Sequence, residues 1–116
     1  MTPPGNATGV VPGEPFTFAE LVNCAVGAIV SRVLAKNDHC SLTLFAFDAG
    51  QGLSEHISPF DAYVNLIEGE LTLTVGGKKT HLRPGQTVLM PAKVPHALHA
   101  VTPVKLLLMM LRPRAD

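Results

Sequence analysis

The chain has 116 residues, of which 47% are hydrophobic and 16% charged, with nine basic residues against nine acidic ones. That length supports one real hydrophobic core and excludes two, and the apolar fraction excludes an intrinsically disordered chain. A net charge of zero removes the general attraction that nucleic acid or anionic lipid exerts, so neither is an expected partner.

Residues 1–15, MTPPGNATGVVPGEP, hold four Pro and three Gly, which predicts a flexible arm or a segment laid over another surface. The rest, residues 16–116, reads as a single domain. Met1 to Gly9 contains no basic residue and no apolar run, so no secretory leader is expected. Val104 to Leu111 is the longest apolar run, and Lys105 interrupts it far short of a membrane span. Two cysteines, Cys24 and Cys40, are too few for a disulfide framework; a cytoplasmic protein with free thiols is the expectation.

Phe16 to Asn23 predicts one or two helical turns with Phe18, Leu21 and Val22 on one side, a lid that plugs one end of the fold. Strand patterns follow. Ile29, Ser31, Val33 and Ala35 alternate with Val30, Arg32 and Leu34, and Asn37-Asp38-His39 reads as a turn. Ser41 to Phe47 places Leu42, Leu44 and Ala46 on one face and Thr43, Phe45 and Phe47 on the other. Both faces are largely apolar, so the arm or a second subunit should cover one of them.

Further strands are predicted at Leu53–Ser58, Asp61–Ile67, Leu71–Val75, Lys78–Leu82, Thr87–Met90, Val94–Val101 and Val104–Leu111. Pro59, Gly69, Gly76-Gly77, Arg83-Pro84-Gly85 and Pro91 punctuate them. About nine short strands with almost no helix define an all-β sandwich or barrel.

Gly50, His56 and Gly69, followed by Gly85, Pro91 and His96, fall on the spacing of the two motifs of the cupin superfamily. The chain resembles a small single-domain cupin over roughly residues 40–111. That resemblance implies a double-stranded β-helix, or jelly-roll, barrel with a short N-terminal arm. It also implies a divalent transition metal such as Zn, Fe, Ni or Mn, held by three histidines and a glutamate. Here Ser58 stands at the second histidine position of the first motif and Ala62 at its glutamate. Lys93 replaces a glycine and Ala100 the asparagine of the second motif. His56 and His96 are the candidate metal ligands, and the set is incomplete.

The residues by themselves assign structural turns to Gly50, Gly69, Gly85 and Pro91. Ser58, Phe60, Asp61 and Met90 are candidate pocket residues. Asp61 is one residue from the missing glutamate position, and a bulge would turn it inward as a third ligand. His99 is three residues after His96 and should face away from it. His39 and His81 read as surface residues.

Two accounts of His56 and His96 stand side by side. One is a metal site completed from elsewhere; the other is a pair of buried histidines bonded to each other, to water or to backbone. The segment Ser58-Pro59-Phe60-Asp61 stands where the family it resembles carries a polar and charged run, and the more apolar pocket mouth favours a small, partly apolar or aromatic ligand. Binding of a metal or small molecule leads the functional expectations. A dioxygenase, isomerase or decarboxylase, a ligand-sensing module without chemistry, and a partner protein with a vestigial pocket remain open, as does whether the chain is an enzyme. A homodimer formed by sheet packing is expected from the surplus of apolar surface.

Overall fold

Alternating side chains and well-placed turns build nine antiparallel strands in the computed structural model, which describes residues 9–112. They are β1 (Ile29–Lys36), β2 (Cys40–Phe47), β3 (Gly52–His56), β4 (Asp61–Glu68), β5 (Leu71–Val75), β6 (Lys78–Leu82), β7 (Thr87–Met90), β8 (His96–Ala100) and β9 (Val104–Leu111). Two sheets result, with strand orders β1-β2-β9-β4-β7 and β3-β8-β5-β6. They face each other as a jelly-roll barrel, so the all-β expectation is met. Two predicted strands are shorter than expected. β3 stops at His56, and β8 starts only at His96, because Lys93 takes φ 65° between Pro91 and Pro95.

The inward faces interdigitate. Phe47, Val64, Leu66, Leu71, Leu73 and Leu106 form the middle of the barrel core and are almost wholly removed from solvent. Burying side chains of this kind contributes about 1.5–3 kcal/mol each.

A second cluster lies on the outer face of the five-stranded sheet. Leu44, Ala46 and Leu107 are buried there beneath Val22, with Phe18 and Leu21 packed alongside. This accounts for the two apolar faces of β2. One faces the barrel, and the other is covered by the segment that precedes β1. The expected lid over a barrel end is therefore corrected. Phe18–Leu21 forms a single 3-10 turn laid across the sheet, and Lys105 Nζ donates to the Ala19 carbonyl at 2.6 Å to hold it. Of the predicted arm, residues 1–8 lie outside the described residues. Residues 9–15 form turns without strand or helix.

The expected alternation along β1 also breaks. A bulge between Val33 and Ala35 shifts the register, so Ala35 pairs with Leu42 and Lys36 with Ser41. Lys36 is thereby turned onto the barrel-side face of the sheet, where unbroken alternation would have pointed it outward.

Candidate functional site

β3 and β8 are neighbours, and their register pairs His56 with His96. Cross-strand partners point to the same side of a sheet, so the two imidazoles meet. Their ring centroids are 4.3 Å apart with planes at 70°, an edge-to-face contact. His96 is buried at 3% exposure, the buried polar side chain among the described residues, whereas His56 is exposed at the rim.

Each ring is anchored in the same way. His56 Nδ1 lies 2.8 Å from the Ser54 carbonyl oxygen, and His96 Nδ1 lies 3.1 Å from that of Val94. A carbonyl can only accept, so each Nδ1 carries the proton and donates it. In the neutral rings the Nε2 atoms keep their lone pairs. This is the tautomer a metal-binding or proton-accepting histidine needs.

The rings border a cavity of about 230 Å³ inside the barrel. Its walls are apolar: Phe45 and Phe47, themselves in edge contact at 5.9 Å, with Leu98, Leu106 and Leu108. Ser58, Ala62 and Met90 also line it. The polar side chains of the lining are His56, His96 and Ser58, and no acid is among them. Apolar walls with a few convergent polar groups are the usual makeup of a small-molecule site.

The other candidates fall elsewhere. Asp61 is exposed and faces away from the cavity, since Ala62 beside it points in. Its Oδ1 accepts from the Ala92 backbone N–H at 2.8 Å and so holds the 91–94 turn. No bulge occurs at this end of β4, where pairing with β9 and β7 is regular from Asp61 to Leu66. The proposed inward turn of Asp61 is thus corrected, and it is no third ligand. Phe60 belongs not to this cavity but to a second one beside it. Its backbone N–H donates to Ser58 Oγ at 3.1 Å, which shapes the loop between the two. His99 faces outward beside Thr72 and Thr74, His81 lies 3.9 Å from Glu70, and His39 is exposed.

Gly50, Gly69 and Gly85 have φ of 84°, 91° and 90°. Only at Gly69 is space also decisive: a Cβ there would run into the Pro103 carbonyl oxygen.

A metal would be held by the Nε2 atoms of His56 and His96. Those two donors do not make a complete protein site, which takes three or four. Among the described residues no three His, Cys, Asp or Glu side chains come together in a way that could hold an ion. The resemblance to the cupin motifs implies the two further ligand positions at Ala62 and Ser58. Both line the cavity, but neither brings the carboxylate or the imidazole that would complete the set.

Residues 43–110 match the Cupin domain family, and the chain belongs to it. Solved structures agree. A conserved protein of unknown function from Streptococcus pyogenes is 31% identical, with a TM-score of 0.85 over 91% of this chain and 93% of that one. A cupin superfamily protein from Desulfitobacterium hafniense is 26% identical, also with a TM-score of 0.85, over 90% and 95% of the two chains. A cupin 2 conserved barrel domain protein from Leptotrichia buccalis is 33% identical over 84% of this chain and 47% of that chain, with a TM-score of 0.80. No curated protein matches the chain.

Proposed function

We propose that this cupin binds a small, largely apolar organic molecule in the barrel, with His56 and His96 as the polar groups that orient it. One observation carries the reading: two Nε2 acceptors, fixed by carbonyl-anchored Nδ1 atoms, border a cavity of about 230 Å³ whose other lining side chains are apolar save Ser58. Such a site favours a planar or aliphatic body carrying a hydrogen-bond donor. The test is a thermal-shift series with small phenols and aromatic acids. Binding should raise Tm with ligand concentration by mass action. Leu98→Trp, which fills the cavity, should abolish the rise. No rise with any compound, or an undiminished rise in the filled variant, would sink the reading.

A second reading is a divalent transition metal bound by the same two nitrogens, with water or the organic ligand filling its other positions. The locked tautomers favour it. The donor count weighs against it.

The working form is a homodimer. Cross-strand register aligns Leu42, Met109, Tyr63 and Leu89 on the outer face of the five-stranded sheet. Tyr63 and Leu89 are 37% and 42% exposed, so this part of the face is not covered by the 3-10 turn. A monomeric mass by light scattering at micromolar concentration would remove this element. The reading further takes residues 16–116 as one domain, a cytoplasmic location, and no nucleic-acid or membrane partner. Among the described residues no helix is long and apolar enough to cross a membrane.

A further inference from the structure

The barrel cavity has a neighbour. A second cavity of about 240 Å³ is formed where the β1–β2 hairpin meets the end of β9, with Phe60 on its third side. The two adjoin along the sheet and share one lining residue, Met110. One row of paired residues runs across the barrel-side face of the sheet: Lys36 beside Ser41, Ser41 beside Met110, Met110 beside Ala62, Ala62 beside Met90. Lys36, Ser41 and Met110 line the second cavity, while Met110, Ala62 and Met90 line the barrel cavity. Met110 is the shared wall.

The charge in this row is there because of the bulge in β1, which turns Lys36 onto this face. Bulges recur beside binding sites because they re-aim one side chain without dismantling the sheet. Lys36 is joined by His39 and Arg112, and no acidic residue lines the cavity. Arg112 is held there by its backbone N–H, which donates to the His39 carbonyl at 2.8 Å. The hairpin itself is pinned by Asn37 Oδ1, which accepts from the N–H groups of His39 and Cys40. Neither Lys36 nor Arg112 has a carboxylate within 4.0 Å among the described residues. Asp61, which pairs with Leu111 across the sheet, has its Oδ1 engaged by the Ala92 N–H. Two cations without a carboxylate partner among the described residues, a histidine and the apolar surfaces of Phe60 and Met110 match one kind of ligand: an organic acid with an apolar body.

We propose that the second cavity is the anion subsite of the ligand site, where Lys36 and Arg112 hold the carboxylate of a small organic acid. The apolar body of the acid lies against Met110 and enters the barrel toward His56 and His96. This assignment rests on the barrel reading above and names its ligand class.

The test uses two probes of nearly equal shape, 3-(4-hydroxyphenyl)propionate and the neutral alcohol 3-(4-hydroxyphenyl)propanol, whose shared phenol O–H is the donor offered to the histidines, titrated into the isotopically labelled full chain. Dissociation constants come from amide and imidazole shifts. The acid should bind about tenfold more tightly than the alcohol, a preference that added salt weakens. Lys36→Gln and Arg112→Gln should each cut that preference several-fold while leaving alcohol binding unchanged. Equal affinities in the parent chain, or an acid preference untouched by both substitutions, would overturn the subsite and leave the barrel reading standing. If neither probe moved the His56 and His96 resonances, the barrel reading would fall and the subsite with it.

Discussion

The rings of His56 and His96 are direct cross-strand partners, 4.3 Å apart, and each is turned by a bond from Nδ1 to a carbonyl two residues earlier in its own chain segment. Strand register brings the two rings together. Two imidazoles held this way form a rigid pair of acceptors at a cavity mouth. Their protein neighbours there, Ser58 and Ala62, supply no further ligating group.

Restoring the missing donors should therefore create a metal site. Ser58→His together with Ala62→Glu places an imidazole and a carboxylate at two positions that already line the cavity. The double variant should retain about one equivalent of zinc or nickel after dialysis, measured by elemental analysis of tag-free protein. The parent chain should retain less than about a tenth of an equivalent. A parent that keeps a full equivalent would show that two histidines suffice and that the donor-count argument is mistaken.

The covering segment should contribute stability independently of the site. Val22 is 4% exposed over Leu44, Ala46 and Leu107. Val22→Asp buries a carboxylate without a partner and should cost about 3 kcal/mol or more in urea unfolding. Lys105→Met removes the donor to Ala19 and the 3.9 Å ion pair with Glu68. It should cost about 1 kcal/mol. Both variants should keep the His56 and His96 imidazole resonances in place. Movement of those resonances would mean that the outer face and the cavity are coupled.

Two glycines with nearly the same φ should respond differently to alanine. Gly85 has open space where a Cβ would go, so Gly85→Ala costs only the strain of a left-handed alanine, about 1 kcal/mol. At Gly69 the same strain is joined by a clash with the Pro103 carbonyl and contact with Val104, one of the buried core residues. Gly69→Ala should cost about 3 kcal/mol or more, read from urea midpoints. Equal costs would show that the β4–β5 turn can move away from the 102–103 loop.

Much of this molecule was legible in one dimension. Alternation with period two and turn residues at strand ends locate all nine strands to within a few residues, because side-chain direction in a strand is set by local geometry. Motif spacing singled out His56 and His96. The same reading could not place Asp61, because its direction depends on whether β4 carries a bulge near its start. That is settled by pairing with β7 and β9. It also set Phe60 in the wrong cavity and passed over Lys36 and Arg112, which look like ordinary surface charges in a hairpin and at a chain end.

Local pattern therefore determined what each strand is, and the resemblance to the cupin motifs picked out the two candidate imidazoles. Tertiary pairing alone decided what those imidazoles meet. Register between strands distant in the chain seats His56 against His96, aligns Lys36 with Met110 through a single extra residue in β1, and lays Val22 over the outer sheet. Each of these is settled only when strands pair, since a shift of one residue in pairing exchanges the two faces of a strand.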